Sequence, residues 1–268
     1  MSGELVFVGL GLHDEKDLSL RGLETIKKAD MIFAELYTSL MPAFSISKLE
    51  KLSKKKIFIV SRHDLEEEAG QKMLEASRKG KTVLLVPGDP LIATTHVDLR
   101  IRAKKQGIRT RIIHGASIIS AVISLSGLQN YKYGRSVTIP FTNNISAVET
   151  PYRVIMENKR LGLHTLCFLD IRAEEKRYMT IRHGLENLLG MDKKKRKRVV
   201  TPDTLAVGVA RAGSKNPTVK ADHVAELINY DFGPTPHSLV FPDKLHFVEA
   251  EALVTLAGAP ESVREMAK

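Results

Sequence analysis

The turn Pro87-Gly88-Asp89-Pro90-Leu91 holds a carboxylate on a segment stiffened by two prolines. A carboxylate fixed this way repels phosphate and suits a ribose hydroxyl, an ammonium or a sulfonium cation. The same residues also fit a plain turn in which Asp89 caps the following helix. Gly9-Leu10-Gly11-Leu12-His13-Asp14 starts as a dinucleotide-binding turn does, but Asp14 stands where the third glycine belongs. With Asp14 and Glu15 so close, a pyrophosphate site is not expected. The two glycines still indicate a tight turn or a close approach of backbone. His114-Gly115-Ala116-Ser117-Ile118 offers Ser117 as a helix cap, or free amides for a ligand carboxylate or an adenine edge. Ala210-Arg211-Ala212-Gly213-Ser214 follows an apolar run, and Pro234-Thr235-Pro236-His237 precedes one.

Other chemistries find less support. The histidines show no spacing that pairs with carboxylates around a metal, so no metal is expected. There is no serine-hydrolase elbow and no phosphate-binding loop of the nucleotide hydrolases. The single cysteine, Cys167, sits in the apolar run Leu166-Cys167-Phe168-Leu169 and reads as a small core residue.

Alternating strand and helix patterns position these turns. In the first half, apolar strands are expected at 5–8, 31–34, 57–60, 83–86 and 111–113. Between them fall a helix capped by Ser19 with Leu20, Leu23 and Ile26 inward, and an acidic helix over 64–79. A basic helix bearing Leu99, Ile101 and Ala103 follows, then an apolar helix over 118–125. Such alternation predicts a parallel sheet with helices on both faces, and it puts the turns at 9–14, 87–91 and 114–118 at strand ends. The pattern breaks over 129–133, which predicts an N-terminal α/β domain over 1–130 and a C-terminal α/β domain over 131–268. The second half reads as strands at 137–141, 165–170, 205–210 and 238–241 with helices at 150–161, 180–189 and 246–256. That composition predicts a mixed sheet.

The bulk properties agree with a packed globular chain: 268 residues, 43% hydrophobic and 27% charged. No apolar run approaches the length of a membrane span, and the N-terminus lacks the pattern of a secretory signal, so a cytoplasmic protein is expected. The formal charge is +10, and the run KKKRKR at 193–198 carries six of the positive charges. A solvated loop or helix end is its expected state, with contact to nucleic acid or an anionic protein as the alternative.

Taken together and in order, several segments resemble the diphthine synthases, a branch of the tetrapyrrole-type methyltransferase superfamily. They are FVGLGLHDEKDLSLRGLE at 7–24, FAELYTSL at 33–40, PGDPLIATTH at 87–96 and HTLCFLDI at 164–171. ARAGSKNPT at 210–218, PHSLVF at 236–241 and KLHFVEAEAL at 244–253 complete the set. The resemblance implies two α/β domains of the tetrapyrrole methylase kind with S-adenosylmethionine in a cleft between them, and a homodimer. It implies cofactor contacts at Leu12, Asp89, Ile92, Ser117 and Ile118, joined by Leu169, Ala212 and His237. It implies a reaction on translation elongation factor 2, in which the amino group of a 3-amino-3-carboxypropyl-histidine is methylated in succession to diphthine. No catalytic base is singled out; His237 is the one candidate. Neither a membrane nor a stable nucleic-acid partner is expected. Tetrapyrrole-methylating relatives carry Pro-Gly-Asp after the first glycines, whereas Leu12-His13-Asp14 stands here, which counts against a porphyrin or corrin substrate. The alternatives are a methyltransferase acting on a tetrapyrrole or RNA, and a non-enzymatic RNA-binding protein that uses the basic run.

Overall fold

The computed structural model describes residues 3–142 and 144–267. Two compact units emerge from the pattern of contacts. One runs to Ile118 and includes Ala173–Glu175; the other comprises Ile119–Arg172 and the chain from Lys176 onward. The first division falls at 118/119, while the composition break read from the sequence lies at 129–133. That break is a 3-10 turn, Asn130–Lys132, inside the second unit.

The first unit is built on β1 (Glu4–Gly9), α1 (Leu20–Lys27), β2 (Met31–Glu35), α2 (Ile46–Ser53) and β3 (Phe58–Val60). It continues through α3 (Gln71–Lys79), β4 (Lys81–Val86), α4 (Val97–Lys105) and β5 (Arg109–Ile113). The five strands are all parallel, in the order β3-β2-β4-β1-β5. Every residue of β1 is buried, as expected of a central parallel strand covered on both faces. Glu4 is the one charge in β1, and Arg109 on the neighbouring β5 meets its carboxylate at 2.9 Å.

The chain path through this sheet has one consequence for function. From β1 the connections step one way, to β2 and then β3. From β3 they return, to β4 and then across β1 to β5. Adjacent strands β1 and β4 therefore send their next connections in opposite directions. This is the topological switch point, where the crevice at the strands' carboxyl ends takes ligands in open α/β sheets.

Three expectations for the first unit need correction. Ser19 does cap α1 by accepting from the Gly22 amide at 3.1 Å, but Leu20 is 82% exposed. The inward face is Gly22, Thr25 and Ile26, because Gly22 rides close against Val8 and Leu18 and turns the helix. The acidic helix over 64–79 is two pieces: a π-helical turn at His63–Glu67, then α3, separated by left-handed backbone at Ala69 and Gly70. On α4, Leu99 and Ala103 are buried, but Ile101 faces solvent. The helix α2, capped by Ser45, had no counterpart in the sequence reading.

The helix α5 (Ile118–Ser126) leads into the second unit. There β6 (Val137–Ile139), α6 (Glu149–Leu161) and β7 (Thr165–Leu169) precede a small hairpin of β8 (Ile171–Arg172) and β9 (Arg177–Tyr178). Then come α7 (Ile181–Lys195), β10 (Leu205–Ala210), β11 (Thr218–His223), α8 (Val224–Leu227), β12 (His237–Phe241) and α9 (Phe247–Ala257). The sheet order is β11-β10-β12-β7-β6, antiparallel except for the β6–β7 pair, so the sheet is mixed. Its core gathers Ile139, Tyr152, Leu185, Leu188, Leu239 and Phe241 among others. Cys167 is fully buried there and burial pushes its thiol pKa up, which leaves it inert. Among the described residues, no helix is long and apolar enough to cross a membrane.

Candidate functional site

Three of the turns picked out by residue type meet at the carboxyl edge of the first sheet. The turn after β1 and the turn after β4 pair directly. Gly88 N donates to Gly11 O at 2.7 Å, Gly11 N to Gly88 O at 3.3 Å, and Leu10 N to Val86 O at 2.8 Å. The turn after β5 closes on both. A methyl group added at Gly9 would lie 2.5 Å from the Gly88 carbonyl and 2.6 Å from the Gly115 amide. One added at Gly115 would lie 2.5 Å from the Gly88 carbonyl. Only glycine lets three backbones approach so closely, so of the two readings open for Gly9, a tight turn or a close approach of backbone, the close approach holds, and Gly115 shares it. Gly88 itself adopts φ +71° and faces open space, with only the Ala116 carbonyl, at 3.9 Å, near a methyl built on it.

Asp89 is buried in this cluster, and its Oδ2 pairs with His114 Nδ1 at 2.7 Å. Among the described residues its Oδ1 accepts only a long bond, 3.4 Å, from the Leu91 amide. The Asx turn thus exists but is weak, and the carboxylate keeps acceptor capacity for hydroxyls or a cation. His114 is mostly exposed and holds Asp89 from the β5 side. Ile92 is exposed beside it, and Ser117 and Ile118 are half-buried where α5 begins.

The turn after β1 uses its own amides internally. The amides of Leu12 and His13 donate to Asp17 Oδ2 at 2.9 and 2.7 Å. A carboxylate of this chain therefore takes the two amides that a dinucleotide-binding turn would leave for phosphate. Asp17 was not singled out from the sequence; its five-residue separation from Leu12 gave no signal.

At the carboxyl end of β2 lies a second polar cluster that residue type alone did not mark. Glu35 is fully buried and accepts from the Tyr37 and Thr38 amides, both at 3.1 Å, from Thr38 Oγ1 at 2.5 Å, and from His96 at 3.1 Å. These residues fall in the FAELYTSL and PGDPLIATTH segments. The Tyr37 ring is buried under the Arg62 guanidinium, 5.2 Å from its centroid, and burial pushes the phenol's pKa up. The cluster fixes the loop after β2 to the loop after β4 and so braces the Asp89 turn.

In the second unit, Leu169, Ala212 and His237 lie at one edge of the mixed sheet. Leu169 ends β7, Ala212 follows β10, and His237 opens β12, which runs antiparallel to both. Leu169 is buried and Ala212 half-buried. Both nitrogens of His237 are engaged. Its Nδ1 accepts from the Ile181 amide at 3.3 Å, and its Nε2 donates to the carbonyls of Gly233 and Pro234 at 3.1 and 3.2 Å. Burial lowers its pKa further, so the ring is neutral and anchors the loop before β12. Among the described residues, no group of three His, Cys, Asp or Glu side chains is placed to hold a metal ion.

A glycine-built cradle at a switch point, with a carboxylate that keeps acceptor capacity, is a place where a ligand with hydroxyls or a positive charge fits. Residues 4–228 match the model of the tetrapyrrole (corrin/porphyrin) methylases, so the chain is a methyltransferase. It is 48% identical over 266 residues to the diphthine synthase of Methanosarcina acetivorans, covering 97% of this chain and 98% of the relative. Identity to the diphthine synthase of Methanococcoides burtonii is 51% over 266 residues, with 97% and 98% covered. A crystal structure of a diphthine synthase superposes with a TM-score of 0.89 at 42% identity, covering 98% of this chain and all of that one. The chain belongs to the diphthine synthase family of these methylases.

Proposed function

We propose that this methyltransferase uses S-adenosylmethionine to methylate, in succession, the amino nitrogen of the 3-amino-3-carboxypropyl-histidine of translation elongation factor 2, forming diphthine. The single observation that carries the donor assignment is the meeting of three strand-end turns around Asp89 at the switch point of the first sheet. The names of the relatives support the protein substrate. When bound, the donor supplies a methyl group already activated on a sulfonium, so the protein's task is alignment and exclusion of water.

The residues of this chain fit that task. Asp89 offers acceptors for ribose hydroxyls and a negative charge to a cationic sulfur, and His114 fixes its rotamer. Leu12, Ile92, Ser117 and Ile118 surround the same turns and are proposed donor contacts, as are Leu169, Ala212 and His237 of the second unit. His237 contributes as a fixed neutral ring, because both its nitrogens already serve backbone groups. No base is required of the chain. An α-amino group with a pKa near 8 is partly neutral at physiological pH, and its proton leaves through water. This reading places the enzyme in the cytoplasm as a homodimer.

The test uses purified elongation factor 2 carrying the unmethylated precursor. Mass spectrometry is expected to show methyl-sized gains on one peptide. Asp89→Ala is expected to weaken donor binding about ten- to a hundredfold by calorimetry, the range for losing bonds to a charged group. Labelling of RNA or a corrin instead of the factor would overturn the substrate. An unchanged donor affinity would remove Asp89 from the site.

A further inference from the structure

The second unit carries a cavity of about 560 Å³ that the donor assignment does not use. Its lining includes Thr142, Lys176, Arg177, Tyr178, His183 and Asn187, a set rich in hydrogen-bond donors and without a carboxylate. Glu174 and Glu175 lie in the same hairpin turn but not in the lining.

Position makes the cavity functional in character. Its walls come from the segment after β6, from β9, from the start of α7 and from the loop before β12. These are the same edge of the mixed sheet that carries Leu169 and His237. The Phe141 amide donates to Asp170, next to Leu169, at 2.8 Å, and the Ile181 amide donates to His237. The guanidinium of Arg177 stands 4.8 Å from the Phe141 ring centroid and that of Arg172 stands 5.7 Å from it. Arg172 also donates to the Phe141 carbonyl at 3.3 Å. Two cations are thus held in place on one ring at the cavity, with Lys176 beside them and the long helix α7 starting at its wall. The lining itself carries Lys176 and Arg177 and no carboxylate, so an anion that enters meets donors.

We propose that this cavity binds the carboxylate of the modified histidine side chain and that Lys176 is its specificity-determining residue. The proposal rests on the functional reading above. That substrate bears a carboxylate on the same carbon as the accepting amine. A site that grips the carboxylate holds the amine at a fixed reach, while a plain histidine offers nothing to grip.

The experiment measures binding of two forms of elongation factor 2, one with the 3-amino-3-carboxypropyl group and one with unmodified histidine. S-adenosylhomocysteine is present throughout so that no turnover occurs. The wild-type enzyme is expected to prefer the modified factor, and Lys176→Ala to cut that preference about ten- to a hundredfold. Lys176→Arg is expected to retain most of it. Binding of the unmodified factor, affinity for S-adenosylhomocysteine and melting temperature are expected to stay unchanged in Lys176→Ala. A preference equal to wild type in Lys176→Ala overturns the proposal, as does a matching loss of donor affinity. Methyl transfer to the factor by the wild-type enzyme is read separately. If it occurs while Lys176 proves irrelevant, the cavity assignment fails and the functional reading stands.

Discussion

Within the second unit, one buried carboxylate organises residues far apart in sequence. Glu249, at the start of α9, accepts from the amides of Gln129 and His246 at 2.8 Å each, from Lys132 at 2.5 Å and from His164 Nε2 at 2.9 Å. The Asp243 amide donates to His164 Nδ1, so His164 is the neutral Nε2–H tautomer. Burial alone would raise the carboxyl pKa of Glu249. The bonds from His246, Lys132, Gln129 and His164 outweigh it and hold the pKa at about 2. Burial lowers the pKa of His164. Both shifts are downward, so the folded state binds fewer protons than the unfolded chain, and both contributions are lost as pH falls. His164 begins to destabilise below about pH 6.5, its unfolded value. Glu249 follows between about pH 4.5 and 2, with on the order of 3 kcal/mol at stake. Urea unfolding across this range is expected to show stability falling in two stages. Glu249→Gln is expected to remove the lower stage while lowering stability at neutral pH. A wild-type stability flat from pH 7 to 4 would refute the assignment.

At the scale of elements, the legible parts were those whose signal is local. Apolar runs marked β1 and β4 in the first unit and β7, β10 and β12 in the second, and the ends of β1 and β4 marked two of the turns that meet within the first. The edge strand β11 escaped notice because its sequence, TVKADH, is polar and only Ala221 is buried. The split of the acidic helix depended on left-handed backbone at Ala69, which no residue type announces. The carboxylates that pin loops, Asp17, Glu35 and Glu249, stayed hidden because their partners are fixed by tertiary approach. Close approach also yields a prediction. Gly9→Ala would press a methyl against the Gly88 carbonyl and the Gly115 amide, both backbone, so the turns must part. Donor affinity is expected to fall by more than about tenfold in titration calorimetry, which is 1.4 kcal/mol. Gly107→Ala is the control. It sits at φ +75° in the turn between α4 and β5 with nothing near a built methyl. It is expected to cost about 1–2 kcal/mol of stability through backbone strain, with donor affinity intact.

For the molecule as a whole, charge is the property that composition states most loudly and structure localises. The net +10 is concentrated in the run at 193–198, which ends α7. Cations there face the negative end of the helix dipole, so their placement has a structural reason independent of any ligand. Lys195 pairs with Glu149 at 2.6 Å and Lys194 donates to Ser146 at 3.0 Å. The chain then turns through left-handed residues Arg196 and Arg198 and is caught again by Asp192, which accepts from the Val199 amide at 2.7 Å. A segment so tied to its own helix is a finished helix end, and a docking role would have to come from the remaining side chains. Replacing Lys193, Lys197 and Arg198 together by Gln tests this. Stability is expected to change by less than about 0.5 kcal/mol, the usual range for surface substitutions. The KM for the proposed substrate, elongation factor 2, at 150 mM salt is expected to stay within about twofold, since exposed charges are screened over about 8 Å there. A tenfold rise in KM with donor affinity unchanged would make the basic helix end part of the surface that meets the protein substrate.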